Sequence, residues 1–285
     1  MERLSESSHG TAPEQRGVII TWGALTHVGM KRPSNQDTYC ALVDADAPRG
    51  TNALLAVADG MGGHRAGDVA SQMAIQGLVK GLSLRNEGDL ALNADIRYES
   101  FLTGVIERVN EEIHRGASRF ETRGMGTTLT AALLVRSIAF IAHVGDSRAY
   151  LLRERRIQQL TRDHTWVAEQ VALGLLTPQQ ARVHPGRSVL TRALGSAPIV
   201  DVDTAAIQIK EGDTLLLCSD GLQSLVTDEE IRDIVTQQEP QDACQILVDR
   251  ANARGGDDNI TVVIARVDRG NRIQPSKTRR SAEQS

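Results

Sequence analysis

Aromatic residues, cysteines and long hydrophobic runs are all scarce in this 285-residue chain. Aromatic side chains make up only 3% of the residues, so a buried core must consist mainly of Val, Leu, Ile and Ala. The three cysteines, Cys40, Cys218 and Cys244, cannot all pair with one another, and none lies in a Cys-x-x-Cys motif. This favours buried free thiols in a reducing compartment. Because no run of about 18 apolar residues occurs, the sequence predicts no membrane span.

The chain also lacks a strong excess of either charge. Its 32 basic and 36 acidic residues give a net charge of -4, which argues against nucleic acid as the main partner. Hydrophobic residues at 40% and charged residues at 24% are typical of a globular domain. The first 17 residues lack the apolar stretch of a signal peptide, so we expect a cytoplasmic protein, and we expect it to be a monomer.

Composition divides the chain into three regions. Residues 1–17 are rich in polar residues and are predicted to be a disordered leader. Residues 18–268 show no linker and no internal repeat, and they are predicted to form one domain. Residues 269–285 are polar and basic and are predicted to be a disordered tail, which either is simply solvated or contacts acidic lipid or a partner.

Apolar runs of strand length recur through the domain and predict β-strands. Only Arg136 and Ser137 separate two of them, which predicts a tight hairpin and therefore antiparallel pairing. The runs are Val18–Leu25, Ala53–Ala58, Thr127–Val135, Ile138–Val144, Ala149–Leu152, Thr214–Cys218 and Ile260–Val267.

Helices are predicted from apolar residues at helical spacing over 69–82 and 98–113. Thr227 followed by Glu230 is a capping box that opens another helix, and Pro240 is suited to begin the next one. Strands in hairpins and helices in pairs argue against a doubly wound parallel sheet. They favour an α+β fold of antiparallel sheets covered by helices.

Aspartates adjoin four of the apolar strands. Asp59-Gly60 follows Ala53–Ala58, Gly145-Asp146 follows Ile138–Val144, Asp220-Gly221 comes just after Thr214–Cys218, and Asp257-Asp258 precedes Ile260–Val267. Each pair alone could be an ordinary turn. Four of them at strand ends predict a cleft of carboxylates, whose repulsion a hard divalent cation such as Mg²⁺ or Mn²⁺ would offset. No His/Cys cluster has the spacing of a zinc site.

Eight short motifs occur in an order that resembles the metal-dependent type 2C Ser/Thr protein phosphatases, in their bacterial form. The first motif runs from Gly29 to Asp37 and is similar to G-x-x-R-x-x-N-[EQ]-D, and the second runs from Asp59 to His64 and reads DGMGGH. The others are Gly126–Thr128, Val144–Arg148, Leu160–His164, Leu190–Gly195, Ser219–Gly221 and Asp258–Thr261. One such motif is a weak signal, but eight in order are specific.

The resemblance implies a four-layer α-β-β-α sandwich of two antiparallel sheets flanked by helical pairs. It implies protein phosphatase activity on phosphoserine and phosphothreonine by metal-activated water at a centre of two Mn²⁺ or Mg²⁺ ions, with a third in bacterial members. The partners implied are phosphorylated proteins and a cognate Ser/Thr protein kinase.

The resemblance also assigns roles to individual residues. Asp59 would bridge two ions, the Gly60 carbonyl would add a ligand, Asp220 and Asp258 would complete the second site, and Asp37 would act through water. Asp146, with Asp220, would hold a third ion. Arg32 would bind the substrate phosphate, because a guanidinium presents two parallel donors to two phosphate oxygens.

Two positions depart from the family pattern. Some members have His two residues after the bridging Asp as a general acid, where this chain has Met61. His64 is then either the proton donor or a brace for its loop. Gln36 stands where many members have Glu, and an amide there can still orient a water.

Alternatives remain at this stage. Residues 165–188 resemble the mobile flap of the family, although a plain helical insertion has the same pattern. A catalytically silent phosphatase fold and a metal-dependent nuclease are alternative functions. The first should have lost one of Asp59, Asp220 and Asp258, and the second should show a basic stripe near the motifs.

Overall fold

Two antiparallel sheets form the centre of the computed structural model, which describes residues 19–62, 66–84, 94–118, 122 and 124–268. The first sheet has the order β1-β11-β10-β7-β8, formed by Ile19–His27, Ile260–Asp268, Thr214–Cys218, Arg148–Arg153 and Arg156–Gln159. The second has the order β2-β3-β5-β6-β9, formed by Asp37–Val43, Ala53–Met61, Leu129–Val135, Ile138–Val144 and Asp203–Gln208. A short strand β4, Gly126–Thr127, pairs with β3.

Helices cover the outer faces of both sheets. The helices α1, Ala66–Ser83, and α2, Ala94–Ala117, pack on the second sheet. The first sheet is covered by α5, α6 and α7, which span Asp220–Gln223, Asp228–Val235 and Pro240–Ala253. The connection from β8 to β9 contains α3, Trp166–Ala172, and α4, Pro178–Val183.

Three apolar layers hold these elements together. The layer between the sheets consists mostly of small and branched side chains such as Ala132, Leu215 and Val263, which are fully buried. The central strand β5 is buried at every position, because one face contacts the other sheet and the other face contacts the helices. Burial of both faces of each sheet stabilises the sandwich. The predicted α-β-β-α architecture is confirmed.

Local sequence signals also have their expected structures. Thr227 and Glu230 form the capping box at the start of α6, and Pro240 is the first residue of α7. The hairpin between β5 and β6 turns at Arg136 and Ser137, with Arg136 at a φ of 54°. All three cysteines are buried and free.

Strand bounds differ from the predictions near the acidic residues. Strand β3 does not end before Asp59 but continues to Met61, because Asp59 pairs with Asp37 of β2 and Gly60 pairs with Thr127 of β4. The predicted strand at 127–135 is interrupted at Thr128. Strands β2, β8 and β9 were not predicted, since their partly exposed residues give no long apolar run.

None of the helices in the described ranges is long and apolar enough to cross a membrane. The predicted leader at 1–17 and the predicted basic tail at 269–285 lie outside the described residues.

Candidate metal and phosphate site

One cavity of about 440 Å³ brings together most of the residues singled out in the sequence. Its lining includes four aspartates, which are Asp59, Asp146, Asp220 and Asp258. Arg32 and Gly60 line the same cavity. Residues far apart in the chain therefore form a single acidic site beside the Arg32 guanidinium.

Asp59 lies near the end of β3, where this strand pairs with β2 on one side and with the short β4 on the other. Its backbone N–H donates to the Thr128 hydroxyl at 2.9 Å, and its carbonyl accepts from the Thr127 hydroxyl at 2.8 Å. Next to it, a Cβ on Gly60 would lie 2.1 Å from the Gly67 carbonyl oxygen, so only glycine allows α1 to approach β3 this closely.

Asp37 lies opposite Asp59 in the β2–β3 pairing, and it is not among the residues that line the cavity. One of its carboxylate oxygens accepts hydrogen bonds from the hydroxyls of Ser219 and Thr261, both at 2.7 Å. Its other oxygen, Oδ1, is buried without a hydrogen-bond partner. The fixed carboxylate therefore keeps one acceptor for a further ligand or water.

The loop that holds Arg32 is fastened to the loop that holds Asp258. Arg32 Nη2 donates to Asp258 Oδ2 at 2.6 Å, and the neighbouring Lys31 pairs with Asp257. The Asn259 amide donates to the carbonyls of Val28 and Ser34 and accepts from the Gln36 N–H at 2.8 Å. The side chain of Arg32 is nevertheless 52% exposed, so it remains open to a ligand.

Buried carboxylates at this density have perturbed pKa values. Desolvation raises the pKa of Asp37 to about 7, of Asp146 to about 8 and of Asp220 to about 6, and it raises the pKa of Asp59 well above its usual range. Repulsion from neighbouring carboxylates adds to each of these shifts. The protein alone therefore does not compensate the negative charge of the site.

The donor set fits a hard divalent cation. The oxygens Asp37 Oδ1 and Asp220 Oδ1 are buried without hydrogen-bond partners, which is unusual unless a ligand or water satisfies them. Within the described ranges, no three His, Cys, Asp or Glu side chains form a compact ligand set for one ion. Such a set is typical of a structural zinc site, whereas Mg²⁺ and Mn²⁺ take few carboxylates and keep several waters.

Some site residues were missed by the sequence interpretation or lie outside the structure. The motifs contained Thr128, Ser219, Asn259 and Thr261, but their role in orienting the aspartates depends on contacts between distant segments. The lining of the cavity includes Ser188, the last residue of the segment predicted to be a flap, and residues 190–193, which follow that segment. His64 lies outside the described residues, and Met61 lines the cavity.

The metal-free protein should become less stable as the pH rises from about 6.5 to about 8.5. The folded-state pKa values of Asp37, Asp146 and Asp220 lie above the ordinary value of 3.8, so the folded state binds more protons than the unfolded state in this range. Saturating Mn²⁺ should weaken this dependence, because a cation stabilises the ionised carboxylates. Thermal melts with and without Mn²⁺ measure both effects.

The test begins at about pH 6.5, because buried His143 makes the stability change with pH in the opposite direction below that value. Its pKa is lowered by burial from 6.5 to about 4, so it reduces stability as the pH falls below about 6.5. A melting temperature that does not change between pH 6.5 and 8.5 without metal would contradict the proposed charge repulsion.

Comparison with known proteins places this site in a family. The model of the family described as protein phosphatase 2C matches residues 31–250, which include every aspartate of the cavity except Asp258. The chain belongs to the protein phosphatase 2C family. The predicted resemblance is thereby confirmed.

Relatives in this family cover most of the chain. The serine/threonine phosphatase stp of Listeria welshimeri is 41% identical over 241 residues, which are 84% of this chain and 92% of that protein. A serine/threonine phosphatase structure from S. agalactiae has a TM-score of 0.80 at 34% identity and covers 88% of this chain and 100% of its own.

A third member of the protein phosphatase 2C family bears on the metal. The catalytic domain of the phosphatase PstP, whose structure is described as a complex with two manganese ions, has a TM-score of 0.75 at 35% identity. It covers 88% of this chain and 100% of its own. A divalent metal therefore binds a family member whose fold this chain shares.

Proposed function

We propose that this chain is a metal-dependent protein serine/threonine phosphatase that hydrolyses phosphoserine and phosphothreonine. The observation that supports this most is the convergence of Asp59, Asp146, Asp220 and Asp258 on one cavity beside Arg32. A carboxylate cluster binds divalent cations, and a partly exposed guanidinium next to it binds a phosphate dianion. Membership of the family and the names of the relatives agree with this activity.

Each site residue has a proposed task. Asp59 is proposed to contact two Mn²⁺ or Mg²⁺ ions, with the Gly60 carbonyl as an additional ligand. Asp220 and Asp258 would complete the second site, and Asp146 with Asp220 would hold a third ion. When bound, the ions would lower the pKa of a water and neutralise charge on the phosphate. Asp37, which is buried and keeps one unpartnered oxygen, orients water at this centre.

Arg32 is proposed to orient the phosphate group of the substrate. Asp258 accepts one of its N–H groups, which fixes the guanidinium beside the acidic cluster. The remaining N–H groups on the planar head suit two phosphate oxygens. His64 stays a predicted proton donor or loop brace.

The physiological role follows from the chemistry of the substrate. Phosphoserine and phosphothreonine in proteins are made by Ser/Thr protein kinases, so we propose that this phosphatase opposes such a kinase in bacterial signalling. The bacterial relatives support this setting. Action as a monomer and a cytoplasmic location stay predictions.

Turnover of a phosphoserine peptide should exceed turnover of DNA when both are assayed side by side with Mn²⁺. We expect released phosphate from the peptide and no nicking of the DNA, because the described residues that line the cavity include four carboxylates and two guanidiniums, those of Arg32 and Arg192, and do not form a basic surface. Peptide binding without phosphate release would indicate a silent fold. DNA cleavage that Asp59→Asn abolishes would indicate a nuclease and contradict the proposed function.

A further inference from the structure

His164 connects the turn that holds Asp146 to the segment at 190–193, which lines the cavity. The side chain is only 3% exposed, and its backbone N–H donates to the Gly145 carbonyl at 2.7 Å. Its backbone carbonyl accepts from the N–H of Thr191, which lines the cavity, at 2.8 Å. The motif that contains His164 is not used by the proposed metal and phosphate sites.

The ring of His164 makes two further hydrogen bonds that fix its tautomer. The Gly145 N–H donates to Nδ1 at 3.0 Å, so Nδ1 must be an unprotonated acceptor. The proton of the neutral ring is then on Nε2, which lies 3.0 Å from Asp203 Oδ2. Burial lowers the pKa of His164, which favours the neutral ring. Asp203 also accepts from Arg192 Nη1 at 2.7 Å.

The Gly145-Asp146 turn is held on its other sides as well. Gly145 has a φ of +114°, and a Cβ there would lie 2.5 Å from Thr128 Cγ2, so the turn is pressed against Thr128. Gln223 donates from Nε2 to the Asp146 carbonyl at 2.7 Å. His164 therefore holds Gly145 on both of its backbone groups, through the ring at the N–H and through its own backbone N–H at the carbonyl, while Gln223 holds the Asp146 carbonyl.

We propose that His164 is a positioning residue for Asp146. By accepting the Gly145 N–H, its Nδ1 sets the orientation of the turn and hence the place of the Asp146 carboxylate relative to Asp220. The bond from Nε2 to Asp203 fixes the tautomer that makes Nδ1 an acceptor. This proposal rests on the proposed role of Asp146 in holding a third ion.

Two substitutions separate the halves of this arrangement. In His164→Asn, Oδ1 takes about the place of Nδ1, so the variant can accept the Gly145 N–H but does not reach Asp203. In His164→Gln, the amide reaches Asp203 at about the place of Nε2 but offers no acceptor at the Nδ1 position. Both variants lose the buried imidazole ring, which packs against His143 at a centroid distance of 4.7 Å. A purely structural role therefore predicts similar losses for the two.

The experiment is calorimetric titration of Mn²⁺ into metal-free wild type, His164→Asn, His164→Gln and Asp146→Ala, with the melting temperature of each. We expect Asp146→Ala to lose the weakest binding step. His164→Gln should weaken that step about 10- to 100-fold, as loss of a group that orients a metal ligand typically does. His164→Asn should keep the wild-type affinity although its melting temperature falls. Equal Mn²⁺ affinities in the Asn and Gln variants would overturn the proposal.

The Asp146→Ala titration separates this inference from the proposed metal role. If Asp146→Ala keeps every binding step, Asp146 holds no ion, and both the role of Asp146 and that of His164 are wrong. If Asp146→Ala loses a step and the His164 variants do not differ, only the inference on His164 fails. Should the variants not fold, ¹⁵N NMR of the wild-type ring still tests it, since a proton on Nδ1 instead of Nε2 would overturn the assignment.

Discussion

Asp59→Asn is expected to reduce kcat by more than about 10³-fold, because this carboxylate is proposed to serve two ions, and ions stabilise charge in the transition state by several kcal/mol. The same change should raise the melting temperature of the metal-free protein. Burial and four neighbouring carboxylates, Asp37, Asp220, Asp146 and Asp258, disfavour the ionised form of Asp59. A neutral amide of the same shape removes that cost. Steady-state kinetics and thermal melts on the same preparations measure both effects.

Asp213→Asn is the matched control for Asp59→Asn. Asp213 is also buried, but it accepts hydrogen bonds from Arg153 at 2.6 and 2.8 Å and lies outside the cavity. Removing the charge of Asp213 leaves Arg153 without its ion-pair partner and should lower the melting temperature, while kcat stays near that of wild type. If Asp59→Asn is destabilised in the metal-free state as Asp213→Asn is, charge repulsion at Asp59 does not limit the stability of the metal-free protein.

Arg32→Ala should raise KM for a phosphopeptide about 10- to 100-fold with a smaller change in kcat. The guanidinium is charged at every working pH, and the phosphate that it is proposed to bind is present in both the ground state and the transition state. A hydrogen bond to a charged group contributes about 1.5–3 kcal/mol, which sets this range. Arg32→Lys should recover only part of the affinity, since an ammonium does not bind two oxygens in parallel.

Lys31→Ala controls for the loss of a loop anchor. Lys31 pairs with Asp257 as Arg32 pairs with Asp258, so both substitutions remove one ion pair between the same two loops. Lys31 is not among the residues that line the cavity. A KM increase of the same size in Lys31→Ala would mean that Arg32 acts through loop anchoring and not through contact with phosphate.

The sequence predicted the architecture because the signals involved are local. The hairpin at Arg136, the capping box at Thr227 and the helix start at Pro240 each depend on residues within a few positions of one another. The apolar runs predicted most of the strands, since a strand that is buried on both faces consists of a continuous run of apolar residues. The same signals failed for β9, which is an edge strand with alternating exposed positions.

The candidate site was only partly predictable for a related reason. The motifs named Asp37 and Asp59, but their direct opposition depends on the register of β2 against β3, which no local pattern specifies. Likewise, the hydrogen bonds of Asn259 to Val28 and Ser34 join segments more than 200 residues apart, at separations of 231 and 225 positions. The hydrogen bonds that link Gly145 through His164 to Asp203 could not be predicted, since Asp203 lies on β9, which the sequence did not predict.

Removal and return of the metal tests the central claim most directly. The protein should be treated exhaustively with chelator, its metal content measured as nil, and Mn²⁺ then titrated while phosphopeptide turnover and the melting temperature are followed in the same samples. We predict no turnover without metal, and recovery of turnover together with a rise in melting temperature as Mn²⁺ is added. Undiminished turnover at zero metal content would contradict a metal-dependent phosphatase built on these aspartates.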